Sequence, residues 1–356
     1  MTAQLSTGVL PLPDGSTIPP RLPIIELPGD GLAAGRAYGE ACRDLIHQHL
    51  DSVYSRLAAR RGVTREDVYS RAQPYRHFTH REQPDLAAEI DGVADGAGIP
   101  PAAAWVLQLR AELMRPAQRA QEHECTSFAV VGSASADGGT IAGQNADLPA
   151  FYSNLLVLVR RTRLHGPALL NLTPAGQIGY HGMNEAGVSV FANFLYSDGW
   201  RIGVPRYLLT RIGLAEHTLD AAVAAIENTR RASRRNLMVA DAGGAFDVET
   251  TVSSSARLEP EDGLLAHSNH YVAPGLHTAE RSKQPGLDNS RLRLQRMWTL
   301  LRAEAGHLDV PAQRAVPSPG RMERARYHNR EYDRRNQSTA SLDRHWLAAS
   351  GGVSRL

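Results

Sequence analysis

The stretch HECTSFAVV, residues 123–131, carries one of only two cysteines in the chain. Cys125 is followed by two hydroxyl residues, Thr126 and Ser127, beside the peptide bond that precedes the thiol. A thiol so placed has a self-directed chemistry open to it. Its sulfur attacks the carbonyl of residue 124, the acyl group shifts from nitrogen to sulfur, and water hydrolyses the thioester. The new N-terminal Cys125 then carries a nucleophile and its own base, because an α-amino group has a reference pKa of about 7.7–8.0. Such a site needs no histidine. Further along, after an ADGG turn, GQNAD (143–147) places Asn145 and Asp147 at the end of a second strand. A hairpin turning near 136–139 brings Asp147 back towards Cys125, where a carboxylate can orient the freed amine. An inert core thiol opening a strand remains the alternative on this spacing.

These groups need strands around Cys125 and a scaffold before them. Residues 1–29 are rich in Pro and Gly and read as an extended arm. Asp30 is placed to N-cap a helix in which Tyr38, Cys42, Leu45, Ile46, Val53 and Leu57 recur at helical spacing until Gly62. Cys42 falls on the apolar face, where a free thiol packs as a small hydrophobe. Further helices are expected over 84–96 and 101–114, so the first 120 residues read as mostly helical. His77 and His80 in RHFTHRE have an H-x-x-H spacing without a third ligand nearby, and a solvated loop is the expectation. Arg110 and Glu112 suit either a structural ion pair or a pocket lining.

At Cys125 the texture changes to short apolar or alternating runs broken by Gly-rich turns. CTSFAVV, TIAGQNAD, NLLVLVRRT, PALLNLT, QIGYHG and GVSVFANFL read as strands. Helices fit VPRYLLTRIGLAEH and LDAAVAAIENT, strands return at NLMVADA, AFDVETT and GLLAHSN, and a helix fits 289–304. Strand runs, helices and strands in that order predict an α+β fold with largely antiparallel sheets. The tail RMERARYHNREYDRRNQ has no clear period and reads as a solvated segment.

With 356 residues, the chain can bury a substantial core as one large domain or two ordinary ones. A net charge of +2, with Lys283 the lone lysine, gives no reason to expect nucleic acid. Two cysteines exclude both a disulfide scaffold and a tetrahedral cysteine metal site. The N-terminus lacks the basic and apolar regions of a signal peptide, and no apolar run is long enough for a membrane span. No membrane association is expected, and the cytoplasm is the expected location.

Several blocks, in order over residues 30–305, resemble the N-terminal-nucleophile hydrolases of the acyl-CoA:6-aminopenicillanate acyltransferase type, the C45 peptidase family. They are GRAYGEACRDLI (35–46), EIDGVADGAGI (89–99), LQLRAELM (107–114), ECTSFAV (124–130), GQNAD (143–147), YHGMNEAGVSVFANFL (180–195), GVPRYLLTRIGLA (203–215) and HSNHY (267–271). The resemblance implies an αββα sandwich in which residues 30–124, a helical propeptide-like chain, and the catalytic part 125–356 form one integrated domain. It implies cleavage after Glu124, with the two chains staying associated. Residue by residue, Cys125 matches the nucleophile and Asp147 the aspartate that holds its amine. Asn269 matches an oxyanion-hole asparagine, Asn193 a pocket asparagine, and Arg330 in YHNREY the C-terminal arginine. His267 and His270 get no direct role, since the mechanism supplies its own base. Glu124 departs from the glycine common before the nucleophile, and its side chain hinders the tight geometry of self-cleavage.

The implied activity is cleavage or transfer of an acyl group at a linear C–N amide bond through a Cys125 thioester, with amidohydrolysis as the leading form. Acyl-CoA-dependent transfer to an amine is the alternative, and an uncleaved, non-catalytic binding protein of the same fold is the second. No cofactor is expected beyond acyl-CoA as a co-substrate. The expected partner is a small N-acyl amide or amine, and a homo-oligomer is left open.

Overall fold

Residues 4–6, 22–59, 63–113, 124–197, 199–309 and 349–350 are described by the computed structural model of the chain. Its strands begin with β1 (Gln4–Ser6), β2 (Ile24–Pro28), β3 (Glu124–Val130) and β4 (Ile141–Asp147). They continue with β5 (Leu156–Thr162), β6 (Leu169–Pro174), β7 (His181–Asn184), β8 (Ser189–Asn193) and β9 (Arg235–Asp241). Last come β10 (Gly244–Thr250), β11 (Ser255–Leu258), β12 (Leu264–His267) and β13 (Ala349–Ser350). The helices are α1 (Gly31–Ala41), α2 (Arg43–Ala58), α3 (Arg65–Glu82), α4 (Pro84–Ala97), α5 (Pro101–Gln108) and α6 (Arg110–Leu113), then α7 (Leu208–Gly213), α8 (Leu219–Asn228) and α9 (Gly286–Ala303). The fold is α+β with largely antiparallel sheets, as expected. Its chain gathers into two units: Met1–Ala120, Asn154–Ala186 and Gly199–Ser233 in one, and Gln121–Ser153, Gly187–Asp198 and Arg234–Leu356 in the other. No helix among the described residues is long and apolar enough to cross a membrane.

In the first unit, strands run β1–β2–β5–β6–β7, with β2 parallel to β5 and the other described pairs antiparallel. Two strands thus lie within the segment read as an arm. Four glycines decide how the helices meet. Gly35 and Gly39 of α1 face Gly92 and Gly96 of α4, and a Cβ on any of them would overlap a main-chain carbonyl oxygen of the opposite helix. Only glycine permits so close a backbone approach. The crossing aims Glu89 of α4 at Arg161 on β5 (2.5 Å) and at Arg211 on α7 (2.9 and 3.0 Å). All three side chains are buried, so each charge depends on the others for solvation.

Three local expectations need correction here. The helix expected from Asp30 to Gly62 is split at Cys42 into α1 and α2, and Asp30 holds the N-cap position of α1 without a side-chain capping bond. The Asp30 carboxylate instead accepts from Arg163 Nε (3.1 Å) and the Leu164 amide (3.0 Å). RHFTHRE lies in α3, not in a solvated loop, and His80 Nε2 pairs with Asp91 of α4 at 2.8 Å. A reciprocal Thr64–Asp67 capping box starts α3, while Pro74 within it and a sparse apolar stripe hide it in the sequence. Cys42 is buried as expected, and burial pushes its thiol up to about 12. Arg110 reaches the Tyr207 hydroxyl (2.7 Å), whereas Glu112 accepts from the Arg206 amide (3.2 Å) and Ser233 Oγ (2.8 Å).

The second unit is layered. Strands β8–β9–β10–β11 form one antiparallel set and β12–β3–β4–β13 another. Ala129, Ala142 and Leu265 of the second set pack on Phe191, Met238, Ala240 and Ala245 of the first. The opposite face, with Phe128, Val130, Ile141, Leu264 and Ala266, packs on Met297 and Leu301 of α9. Strand alternation explains the division: consecutive residues of β3 point to opposite faces, one towards the helix and one between the sheets.

Candidate active site

The inter-sheet layer of the second unit changes character along its strands. The row of Ala129 on β3 continues to Ser127 and Cys125, that of Phe191 on β8 to Asn193, and that of Met238 on β9 to Asn236. On β10 the row runs from Ala245 to Asp247 and Glu249, and on β12 from Leu265 to His267. The same parity that builds an apolar core at one end therefore gathers a polar cluster at the other. Ser127, Asn193, Asn236, Asp247, Glu249 and His267 are all fully buried. Buried polar atoms must find partners, and here most do.

Cys125 sits at the open end of the β3–β4 hairpin. The register pairs Glu124 with Asp147, Cys125 with Ala146, Thr126 with Asn145 and Ser127 with Gln144. Asp147 thus comes back beside the 124–125 peptide bond, as the spacing predicts, on the strand face opposite to that of the thiol. The main-chain N–H of Cys125 donates to Asn269 Oδ1 at 2.7 Å. Arg293 of α9 closes the set: Nη1 donates to the Cys125 carbonyl (2.5 Å) and Thr126 Oγ1 (3.1 Å), and Nη2 to Asn269 Oδ1 (2.9 Å). Cys125 is 4% exposed. Burial and the nearby Asp147 push its thiol up to about 11, against the opposing pull of Arg293, Arg235 and Gln144. Near neutral pH this thiol is protonated.

Asn269 Nδ2 donates one hydrogen to the Phe194 carbonyl (2.9 Å), and an amide carries two. Asn193 stands deeper. Its Nδ2 lies 3.0 Å from Ser127 Oγ, 3.1 Å from the His267 carbonyl and 3.0 Å from the Ser268 carbonyl, while its Oδ1 accepts from Gln144 Nε2 (2.9 Å). It joins β3, β8 and the turn after β12. Asn145 Nδ2 is buried beside this hairpin without a hydrogen-bond partner among the described residues. Arg330 lies outside the described residues. The structure thus brings Cys125, Asp147, Asn269 and Asn193 into one unit.

His267 is engaged on both ring nitrogens, with Glu249 Oε1 on Nε2 and the Ser268 carbonyl on Nδ1, each at 2.8 Å. Burial alone would drive the ring neutral, but Asp247 and Glu249 outweigh it and lift His267 to about 9. Burial, countered by His267 and reinforced by Glu249, raises Asp247 to about 6. His270 is lowered to about 4 by burial and by the cationic His267, and its Nδ1 meets Ser290 Oγ at 2.7 Å.

Sequence reasoning missed Arg293, Ser290 and Glu249. A signal for the first two existed: the buried stripe of α9 runs Ser290, Arg293, Met297, Leu301. Two polar residues at i and i+3 on an otherwise apolar stripe ask for a buried partner.

A family model described as acyl-coenzyme A:6-aminopenicillanic acid acyl-transferase matches residues 134–315, just over half of the chain. The acyl-coenzyme A:6-aminopenicillanic-acid-acyltransferase 40 kDa form of Emericella nidulans is 24% identical over 241 residues, 67% of this chain. The match spans 66% of that relative's length. Among solved structures, an N-acylethanolamine-hydrolyzing acid amidase ortholog of Caenorhabditis elegans is 21% identical, with a TM-score of 0.40, over 57% of this chain and 96% of its own. Penicillin V acylase from Agrobacterium tumefaciens is 16% identical, with a TM-score of 0.32, over 49% of this chain and 57% of its own.

Proposed function

This chain belongs to the acyl-coenzyme A:6-aminopenicillanic acid acyl-transferase family, and from that premise we propose that Cys125 is the nucleophile of an enzyme acting at linear C–N amide bonds. The observation that carries this reading is the grip on the Cys125 main-chain nitrogen. Asn269 Oδ1 holds that N–H at 2.7 Å, and Arg293 holds both the asparagine and the Cys125 carbonyl. A cut between Glu124 and Cys125 turns this nitrogen into an α-amine already seated on a hydrogen-bond acceptor.

The cut itself begins with Sγ attacking the Glu124 carbonyl carbon. The C–N bond breaks, the Cys125 nitrogen takes up the proton, and water then hydrolyses the thioester to leave a carboxylate at Glu124. In the uncut chain burial and Asp147 keep the thiol protonated near neutral pH, so its proton has to leave Sγ as the attack on Glu124 proceeds. After the cut the α-amine, with a reference pKa of about 7.7–8.0, takes the thiol proton as Sγ attacks a substrate carbonyl. The second Nδ2 hydrogen of Asn269 is suited to the developing oxyanion, a contribution of about 3–4 kcal/mol where such donors are preorganised. The substrate's amine leaves, and water or a second amine resolves the acyl-enzyme.

Hydrolysis is the outcome we favour, because water is always present and acyl transfer needs a dedicated second site. Transfer from acyl-CoA to an amine shares every step up to the acyl-enzyme. A non-catalytic role is the second reading, favoured by the buried thiol and by Glu124 at the scissile bond. Intact-mass measurement on purified wild type beside Cys125→Ala decides between them. Fragments 1–124 and 125–356 from wild type alone support self-processing, whereas one unbroken species in both samples favours the binding protein. In the cut protein, hydroxylamine added with an N-acyl substrate reports the fate of the acyl group. Hydroxamate formation without loss of total turnover marks an acyl-enzyme open to amines.

A further inference from the structure

Asn269 sits in the turn that follows β12, and nothing within Asn269 itself dictates where that turn lies. One buried carboxylate spans it from end to end. Glu249 of β10 accepts through Oε1 from His267 Nε2 (2.8 Å), at the start of the turn, and from the Val272 amide (2.6 Å), towards its end. Its Oε2 accepts from the Ala273 amide (3.1 Å). A single side chain thus bridges residues 267 and 272–273, with Asn269 between them. The turn is pinned on its other side by Ser290 Oγ, which accepts from the Asn269 amide at 2.8 Å. We propose that Glu249 is the positioning residue for Asn269, closing the 267–273 turn so that the asparagine amide meets the main-chain nitrogen of Cys125. This inference rests on the nucleophile role proposed for Cys125.

Three donors converge on two carboxylate oxygens, and that count makes the role testable. Glutamine in place of Glu249 keeps the shape but offers one acceptor atom. Whichever way its amide turns, an NH2 group faces the N–H of Val272 or of Ala273. Asp247 supplies the control. It is equally buried and shares in the charge of His267, 3.8 Å away through Oδ2, but its Oδ1 accepts from Asn236 Nδ2 (2.8 Å), away from the turn. Ala273 supplies the rescue. Its φ is −66°, the value that proline fixes, so Ala273→Pro deletes one opposing N–H while keeping that backbone angle.

The experiment uses the full-length chain as wild type, Glu249→Gln, Asp247→Asn, Ala273→Pro and the Glu249→Gln/Ala273→Pro pair. Each is made with Cys125 present, for the rate of fragment formation, and with Cys125→Ala, for hydrogen exchange in the uncut chain. Glu249→Gln should slow fragment formation at least about tenfold, the size expected when one buried donor loses its acceptor. It should also speed exchange in peptides covering 268–273 and 125 by a similar factor. Asp247→Asn should stay within about threefold of wild type on both measures, and the paired variant should recover to the level of Ala273→Pro alone. Unchanged exchange in Glu249→Gln, equal damage from Asp247→Asn, or no recovery in the pair overturns the proposal. If wild type forms no fragments, the nucleophile reading fails by itself. The exchange comparisons, which need no turnover, then decide the role of Glu249 alone. A Glu249→Gln chain that does not fold is judged by the pair, whose failure to fold while Ala273→Pro folds counts against the proposal.

Discussion

Replacing Arg293 with lysine should damage the chemistry of Cys125 far more than it damages the fold. The guanidinium serves four acceptors: the Cys125 carbonyl, Thr126 Oγ1, Asn269 Oδ1 and, through Nε, Asn289 Oδ1 at 2.7 Å. Lysine keeps the charge but has one nitrogen, which cannot sit on the Cys125 carbonyl and on Asn269 in the geometry of a planar fork. One charge-assisted hydrogen bond is lost, about 2 kcal/mol, or roughly a thirtyfold slower cut if that bond persists in the transition state. Losing the fork altogether in Arg293→Ala strands several buried acceptors at about 1–3 kcal/mol each, and this variant should be destabilised by about 4 kcal/mol or more. Urea unfolding separates the two effects: Arg293→Lys should keep most of the wild-type midpoint while its fragment formation, followed by intact mass, falls. A lysine variant that cuts within threefold of the wild-type rate would refute the reasoning, because it would show that the grip on Asn269 and Cys125 is not used.

Gly35→Ala should destabilise the chain by about 2 kcal/mol or more, since its Cβ would overlap the Glu89 carbonyl oxygen and α1 and α4 must separate; a urea midpoint equal to wild type would contradict this crossing. The pH dependence of stability has a definite sign at His267, whose folded value of about 9 lies above the ordinary 6.5. Its contribution, on the order of 3 kcal/mol, is fully present below about pH 6.5 and is lost as pH rises through about 9. Asp247, raised to about 6, acts in the same direction at lower pH. Urea midpoints between pH 6 and 9.5 should therefore fall in wild type and stay flatter in His267→Gln. Finally, both thiols are pushed up, Cys42 to about 12 and Cys125 to about 11, so the folded uncut chain should react with a thiol reagent at pH 7.5 about a hundredfold more slowly than the unfolded chain. After the cut, Cys125 alone should become fast.

The hairpin that presents Cys125 was legible because it is local. An ADGG turn between two alternating runs fixes a register, and Asp147 follows from counting along it. The α1 and α9 helices were legible for a similar reason, since apolar periodicity marks a buried face. Asn269 is a different case. It meets Cys125 from 144 residues away, and no period or spacing encodes that approach; only the resemblance of HSNHY to a family block pointed to it. Glu249 left no trace at all, because a glutamate in an alternating strand has the pattern of a solvent-facing residue, and only the second sheet laid over β10 buries it. The α3 helix went unseen because its stability comes from a capping box and from Asp91 across the helix pair, not from a strong apolar stripe.

The alternation along β3 has one more consequence, which concerns insertions and deletions. Each residue added or removed between Cys125 and Ala129 exchanges the two faces of the strand upstream of the change. A single-residue change would turn the thiol away from the polar end of the layer and put it against α9, where Thr126 now meets Arg293. A change of two would restore the face but carry the thiol about 7 Å along the strand, beyond the reach of Asn269. Neither outcome is a graded loss. The segment behaves as a parity check: the number of residues between Cys125 and the core decides which layer the thiol enters, whatever side chains lie between them.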